Sequence, residues 1–226
     1  MEIIKLSNLA EQTQNVISIL NRFNKESYLL LLSGGHSPNG LYKYLSHSFN
    51  YTFPSDVALT DERWQRQKYH ENSNELMIKN TGFLGRVEWE KANWHPILTE
   101  KTTPTEEATG YSSEIGTLFQ KYGKNVVAIL GMSTDGHIVG VLPDTEGVTS
   151  AENVIYYASD DEYEDRITTT LSCVKNSFST IILLLDNKGK LETFESIMSQ
   201  QSAVAKYPIL LLKELPDVTV LGIDQA

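Results

Sequence analysis

The sequence is poor in cysteine, in basic residues and in long apolar runs. Its 226 residues contain one cysteine, Cys173, so no disulfide can form within the chain, and we expect a reducing, cytoplasmic location. Lysine and arginine total 19 against 29 aspartates and glutamates, which gives a formal net charge of −10. This balance argues against a general nucleic-acid or membrane-surface binder, although a local cluster of donors could still hold a small anion.

Other features that would define a protein class are also missing. The strongest apolar run, Ile181–Leu185, is too short to span a bilayer, and the N-terminus lacks the basic and apolar regions of a secretory signal. The five histidines show neither an HExxH nor an HxxxH spacing, so we expect no bound metal.

Strand and helix patterns alternate along the chain. Apolar runs predict strands at Tyr28–Leu32, Asp56–Thr60, Val126–Leu130, Ile181–Leu185 and Val218–Ile223, with extended segments at Asn153–Ala158 and Ile167–Thr170. Helical spacing predicts helices within Asn8–Phe23, Gly40–Leu45, Asn74–Asn80, Thr105–Lys121, Gly189–Ser199 and Tyr207–Leu215, and the acidic segment Asp160–Asp165 suits a solvated loop. Because the strands are apolar throughout, we predict an α/β fold: a mostly parallel sheet with helices on both faces, in one domain spanning 1–226.

In three places a predicted strand runs into a polar loop. The loops read SGGHSP at Ser33–Pro38, DERW at Asp61–Trp64 and GMSTDGH at Gly131–His137. Open α/β sheets bind ligands at the carboxyl ends of their strands, so we expect these loops to share one crevice. The paired glycines would let backbone approach a ligand closely, and a helix that begins near Pro38 would attract an anion, as in a phosphate cradle.

Each motif alone also has a simpler interpretation. A glycine pair outside a Walker or GxGxxG pattern suits a tight turn, and strand-end charges such as those of DER are usually solvated or ion-paired. A lone histidine such as His137 is more often structural than catalytic.

The order of the motifs favours the functional interpretation over these simpler ones. SGGHSP, DERW with ENSN, GMSTDGHIVGVLP, DRITTTL, NKGKLETF and VTVLGIDQA follow one another from Ser33 to Ala226. Together they resemble the 6-phosphogluconolactonase family. The resemblance implies a Rossmann-like fold of the sugar-phosphate isomerase/deaminase type, with neither a metal nor a nucleotide cofactor. It also implies hydrolysis of a phosphorylated sugar lactone, 6-phosphoglucono-δ-lactone, to 6-phosphogluconate in the oxidative pentose phosphate pathway.

The resemblance also implies roles for individual residues. His137 would be the base that takes a proton from the attacking water, and Asp135 would orient its ring or support its charge. The remaining candidates would bind the substrate and its phosphate: Ser33, Gly34, Gly35, Ser37, Asp61, Arg63, Arg166 and Lys190. Simpler alternatives are a salt bridge in the acidic loop for Arg166 and solvation for Lys190.

Departures from the family pattern bear on this interpretation. Ser133 and Asn187 stand where glycines are usual, and Ser37 replaces threonine but keeps a hydroxyl. The nearest rival, a glucosamine-6-phosphate deaminase, typically reads DGHIAFNEP, whereas Leu142 here takes the place of its acid–base glutamate. A second rival is a non-catalytic sugar-phosphate sensor, which an appended DNA-binding segment or a degenerate catalytic loop would favour. Neither feature is evident in the sequence.

Overall fold

The computed structural model describes residues 1–65, 69–159 and 165–225. The acidic segment expected to be a loop lies outside these ranges except for Asp165, and so does Ala226. The strands are β1 (Glu2–Leu6), β2 (Leu29–Leu32), β3 (Asp56–Leu59), β4 (Asp61–Arg63), β5 (Asn93–His95), β6 (Val126–Gly131), β7 (Val154–Tyr157), β8 (Arg166–Thr169), β9 (Thr180–Leu185) and β10 (Val218–Ile223). The helices are α1 (Leu9–Leu20), α2 (Asn39–His47), α3 (Asn74–Asn80), α4 (Phe83–Trp89), α5 (Pro104–Tyr122), α6 (Glu146–Thr149), α7 (Leu171–Ser177) and α8 (Lys188–Ser199), with 3-10 turns at Asn21–Phe23 and Pro208–Glu214.

Seven strands form a parallel sheet in the order β1-β10-β9-β6-β2-β3-β5. Every residue of β2, β3 and β9 is buried. Successive side chains of a strand point to opposite faces, so both faces of the sheet are covered. The predicted α/β fold with a mostly parallel sheet is confirmed.

The order of the strands creates a switch point between β2 and β6. From β2 the chain moves outward to β3 and β5, then returns to β6 on the other side of β2 and continues to β9 and β10. The connections that leave β2 and β6 therefore run in opposite directions and open a crevice at the carboxyl ends of these strands.

A second sheet of three antiparallel strands, in the order β4-β8-β7, lies beside this crevice. The prediction that DER begins a polar loop is wrong, because Asp61–Arg63 pairs with β8. The backbone N–H of Thr169 also donates to the carbonyl of Thr60 at 2.9 Å. The partner strand lies more than 100 residues away in sequence, so local pattern could not reveal the pairing.

The remaining differences concern short elements. Strands β1 and β5 and helices α4, α6 and α7 were not predicted. The helix predicted over Tyr207–Leu215 is a 3-10 helix, Pro208–Glu214, in which Ile209–Leu212 are all buried. Such a run lacks the polar face that marks an amphipathic α-helix. Within the described ranges, no helix combines the length and apolar character needed to cross a bilayer.

Candidate active site

The loops that follow β2 and β6 border a cavity of about 420 Å³. All ten residues singled out from the sequence line it: Ser33, Gly34, Gly35, Ser37, Asp61, Arg63, Asp135, His137, Arg166 and Lys190. They come from the β2–α2 loop, β4, the loop after β6, β8 and the first turn of α8. The cavity lies at the switch point of the sheet, where side chains from distant segments meet.

Two glycines shape the loop after β2, each for a different reason. A Cβ on Gly34 would lie 1.8 Å from the side-chain oxygen of Asn74, so this glycine allows the loop to pack against Asn74. Gly35 has a φ of +86° and faces open space, a conformation that suits glycine. The hydroxyl of Ser33 accepts a hydrogen bond from the backbone N–H of Gly131 at 3.1 Å, which joins the two loops.

Asp135 fixes the imidazole ring of His137. Its two carboxylate oxygens lie 2.9 and 3.1 Å from Nδ1, and one of them accepts the backbone N–H of His137 at 3.1 Å. Gly136, with a φ of +81°, makes the tight turn between them. Burial raises the pKa of Asp135, but the hydrogen bonds and charge of His137 outweigh it, so this pKa lies below its ordinary value. An ionised carboxylate can only accept, so Nδ1 donates and Nε2 remains for a ligand.

Ser133 fits the turn that holds His137. The N–H of Gly136 donates to the carbonyl of Ser133 at 3.0 Å, and the N–H of Ser133 donates to the carbonyl of His137 at 3.3 Å. Ser133 is not among the residues with positive φ, so the turn does not require glycine at this position.

Backbone strain marks the segment after His137. Val139 has a φ of +48°, which is unfavourable for a β-branched residue, and Gly140 has a φ of +74°. A Cβ on Gly140 would lie 2.9 Å from atoms of Asp61, and the hydroxyl of Thr168 donates to the carbonyl of Val139. The surrounding structure thus holds a strained segment at the cavity, as is common at functional sites.

Two arginines meet across the second sheet. Arg63 and Arg166 are opposite each other in the β4–β8 pair, and Arg166 is 2% exposed. Nη1 of Arg63 donates to the side-chain oxygen of Asn74 and, at 3.2 Å, to the carbonyl of Asn72. Both arginines line the cavity.

Lys190 and Ser37 form a closed triangle with Asp186. Nζ of Lys190 donates to Ser37 Oγ at 2.6 Å and to Asp186 Oδ1 at 2.8 Å, and the hydroxyl of Ser37 donates to the same oxygen at 3.1 Å. Burial raises the pKa of Asp186, but its contacts with Lys190 and Ser37 bring it below the ordinary value. Asn187 caps α8 by accepting the backbone N–H of Lys190 at 3.0 Å, which accounts for asparagine at this position. The lysine is bonded rather than merely solvated.

Glu62 joins β4 to the start of α3. Its buried carboxylate accepts the backbone N–H groups of Arg63, Asn74 and Glu75 at 2.7–2.8 Å and the hydroxyl of Ser73 at 3.1 Å. Burial raises its pKa to about 7, against the lowering effect of these N–H groups. The carboxylate thereby fixes the position of Asn74.

Asn74 in turn joins three parts of the cavity wall. Its amide nitrogen donates to the carbonyl of Asp61 at 2.8 Å and to a side-chain oxygen of Asp61 at 3.1 Å. Its oxygen accepts from Arg63, and its side chain occupies the space that a side chain on Gly34 would need.

Sequence reasoning missed Asp186 and the role of Glu62. Asp186 directly follows the apolar strand β9, so it carries the same strand-end signal that identified the other three loops. Glu62 was noted only as part of the DER motif, with no role predicted for it. Among the described residues, no group of three or more histidine, cysteine, aspartate and glutamate side chains is arranged to hold a metal ion.

The fold and cavity define an α/β protein whose cleft, at the switch point of a parallel sheet, is lined by Arg63, Arg166 and Lys190. The chain belongs to the family described as glucosamine-6-phosphate isomerases/6-phosphogluconolactonase, whose sequence model matches residues 6–220. The family resemblance inferred from the motifs is thus confirmed.

Individual relatives carry both names. The chain is 27% identical over 201 residues to a 6-phosphogluconolactonase of Synechocystis sp., covering 87% of this chain and 82% of that protein. It is 25% identical over 230 residues to a glucosamine-6-phosphate deaminase of Malacoplasma penetrans, covering 94% and 92%. The solved structure of a 6-phosphogluconolactonase from Plasmodium vivax matches with a TM-score of 0.82 and 20% identity, over 98% of this chain and 89% of that one. This last match shows a shared fold.

Proposed function

We propose that this protein hydrolyses 6-phosphoglucono-δ-lactone to 6-phosphogluconate in the oxidative pentose phosphate pathway. The observation that carries the proposal is one cavity that combines the His137–Asp135 pair with three cationic side chains. The cations suit a phosphate group and the imidazole suits proton transfer from water. The family and the named lactonase relatives support the same activity. We further propose a cytoplasmic location, for which the single buried cysteine is the support.

In the proposed mechanism, Nε2 of His137 accepts a proton as water attacks the lactone carbonyl. Nδ1 donates to Asp135, and the negative charge of that carboxylate stabilises the imidazolium that forms. The tetrahedral intermediate then collapses, the bond between the carbonyl carbon and the ring oxygen breaks, and the ring oxygen takes the proton from Nε2. One water is consumed, the ring opens to the acid, and the base is restored.

Arg63, Arg166 and Lys190 would bind the phosphate together with the Ser33–Ser37 loop. Charged hydrogen bonds of this kind contribute about 1.5–3 kcal/mol each, so they would account for preference for a phosphorylated substrate. Asp61 lines the cavity from β4 and would contact substrate hydroxyls.

Leu142 distinguishes this proposal from deamination. It lines the cavity at the position where the deaminase pattern has glutamate, and its side chain cannot carry a proton. We therefore expect no release of ammonia from glucosamine 6-phosphate.

The decisive experiment follows lactone hydrolysis in real time, with glucosamine 6-phosphate assayed in parallel. We expect hydrolysis well above the spontaneous rate, unphosphorylated gluconolactone as a poor substrate, and ammonia at background. Robust ammonia release would overturn the assignment, and so would equal kcat/KM for the two lactones.

A further inference from the structure

The triangle of Ser37, Lys190 and Asp186 places a carboxylate beside the proposed phosphate-binding groups. Ser37 and Lys190 line the cavity, while Asp186 contacts both of them at 3.1 and 2.8 Å. The side chains of Lys190 and Asp186 are 21% and 28% exposed, so the pair is partly shielded from water. An anion is thus already present at the groups that the proposed function assigns to the substrate.

The hydrogen-bond donors of this triangle are largely committed to Asp186. A serine hydroxyl has one hydrogen, and that of Ser37 is directed to Asp186. Two of the three N–H groups of Lys190 go to Ser37 and Asp186. The Ser37 hydroxyl can therefore donate to a phosphate only if it gives up its hydrogen bond to Asp186.

The position of Asp186 is one that favours an anion. It directly precedes Asn187, the cap of α8, and contacts Ser37, which directly precedes Pro38, the cap of α2. The N-terminus of α8 therefore follows this carboxylate in sequence, and that of α2 follows its contact Ser37; helix N-termini stabilise negative charge. A carboxylate and a phosphate would compete for the same favourable potential.

We propose that Asp186 is a specificity-determining residue, an internal carboxylate that competes with the substrate phosphate for Ser37 and Lys190. It holds these two side chains in place in the free protein and limits how tightly phosphorylated ligands bind. This inference rests on the proposed function, because it takes the ligand of the cavity to be a sugar phosphate.

Asp186→Asn tests the competition, because the amide keeps an acceptor oxygen but loses the charge. We expect the variant to bind 6-phosphogluconate and inorganic phosphate about tenfold more tightly than the wild type, as expected for loss of one nearby like charge in a partly exposed site. The KM for the phosphorylated lactone should fall in parallel. Affinity for unphosphorylated gluconate should stay at the wild-type value, because gluconate has no phosphate to compete.

Isothermal titration calorimetry with 6-phosphogluconate, inorganic phosphate and gluconate measures the affinities. Asp217→Asn is the matched control. Asp217 pairs with Arg22 and Thr180 before β10, at the opposite end of the strands, so its substitution changes the net charge equally and should leave all affinities unchanged. Asp186→Ser is a second variant, which removes the charge and supplies a hydroxyl in place of the carboxylate.

The outcomes separate the two proposals. If Asp186→Asn and Asp186→Ser bind inorganic phosphate no more tightly than the wild type, or gain equally for gluconate, Asp186 is not a competitor. If the wild type neither binds 6-phosphogluconate nor hydrolyses the lactone, the proposed function fails. The phosphate titration still decides the role of Asp186 in that case.

Discussion

At the scale of single residues, His137 is the group on which the proposed chemistry depends. Nδ1 of His137 is hydrogen-bonded to Asp135, and the His137 side chain, which lines the cavity, is 23% exposed. We expect His137→Ala to lower kcat about 10²- to 10⁴-fold, the usual contribution of a positioned base, after subtraction of spontaneous hydrolysis.

Product binding is the control for this prediction. His137→Ala should still bind 6-phosphogluconate, because the side chains proposed to bind phosphate are unchanged. Asp135→Asn should cause a smaller or similar loss, since the amide alters the orientation of the ring without removing it. A folded His137→Ala enzyme with product affinity and kcat of the wild type would make His137 a structural residue.

Lys190 gives a second prediction, about binding rather than chemistry. Lys190→Ala should raise the KM for the phosphorylated lactone about ten- to a hundredfold, because it removes a charged hydrogen bond worth about 1.5–3 kcal/mol. The KM for unphosphorylated gluconolactone should change little. Steady-state kinetics on both lactones make the test, and an equal change for both would show that Lys190 does not contact phosphate.

At this scale, three strand ends pointed to the loops that contain Ser33–Ser37, Asp61–Arg63 and Asp135–His137. The family resemblance added Arg166 and Lys190, which lie at the start of β8 and in the first turn of α8. All ten candidates line the cavity. The packing roles of these residues could not be predicted from the sequence as easily. Gly34 packs against Asn74, a contact that depends on the Glu62 network between β4 and α3 and that no local pattern contains.

At the scale of elements, the contact between Gly34 and Asn74 connects the loop after β2 to α3 and β4. We expect Gly34→Ala to destabilise the protein by about 1–3 kcal/mol, because the new methyl group must displace Asn74 and with it Arg63. The kcat/KM should fall as well. Thermal melting and kinetics measure the two effects.

The controls come from within the chain. Gly110, inside α5, has open space around an added Cβ, so Gly110→Ala should be neutral or stabilising. If Asn74 is the obstacle, Gly34→Ala should cost much less in an Asn74→Ala background. Equal costs in the two backgrounds would contradict the mechanism.

Elements with a strong local signal were the ones that sequence could locate. The central strands are continuous apolar runs, and α5 begins with the capping box of Thr103 and Glu106. Strands β1 and β5 lie at the edges of the sheet, and β4 depends on β8. Edge and long-range pairings are decided by tertiary contacts, which explains why these strands were missed.

At the scale of the whole molecule, a network around the buried carboxylate of Asp56 lies at the end of the sheet opposite the cavity. Asp56 begins β3, and its carboxylate accepts from Lys121 at 2.7 Å, from Asn93 at 2.9 Å and from Tyr122, and it contacts Nε2 of His95 at 2.6 Å. This one carboxylate therefore links β3, the edge strand β5 and α5. Burial alone would raise its pKa, but these four partners hold the pKa well below its ordinary range.

The depressed pKa gives a pH dependence with a definite sign. The folded protein binds a proton at Asp56 less readily than the unfolded chain, so the stability due to this carboxylate is present above about pH 4 and lost as the pH falls. We expect Asp56→Asn to lower the free energy of unfolding by about 2–3 kcal/mol at pH 7, as for loss of charged hydrogen bonds, and by less at pH 3.

The control is Asp224→Asn, at an exposed position, which should change the free energy of unfolding little. Denaturant unfolding of the three proteins between pH 7 and pH 3 measures the difference. The kcat/KM of Asp56→Asn at pH 7 should match the wild type, because the network lies away from the cavity. A loss of stability that stays constant across this pH range would mean that the charge of Asp56 contributes nothing to it.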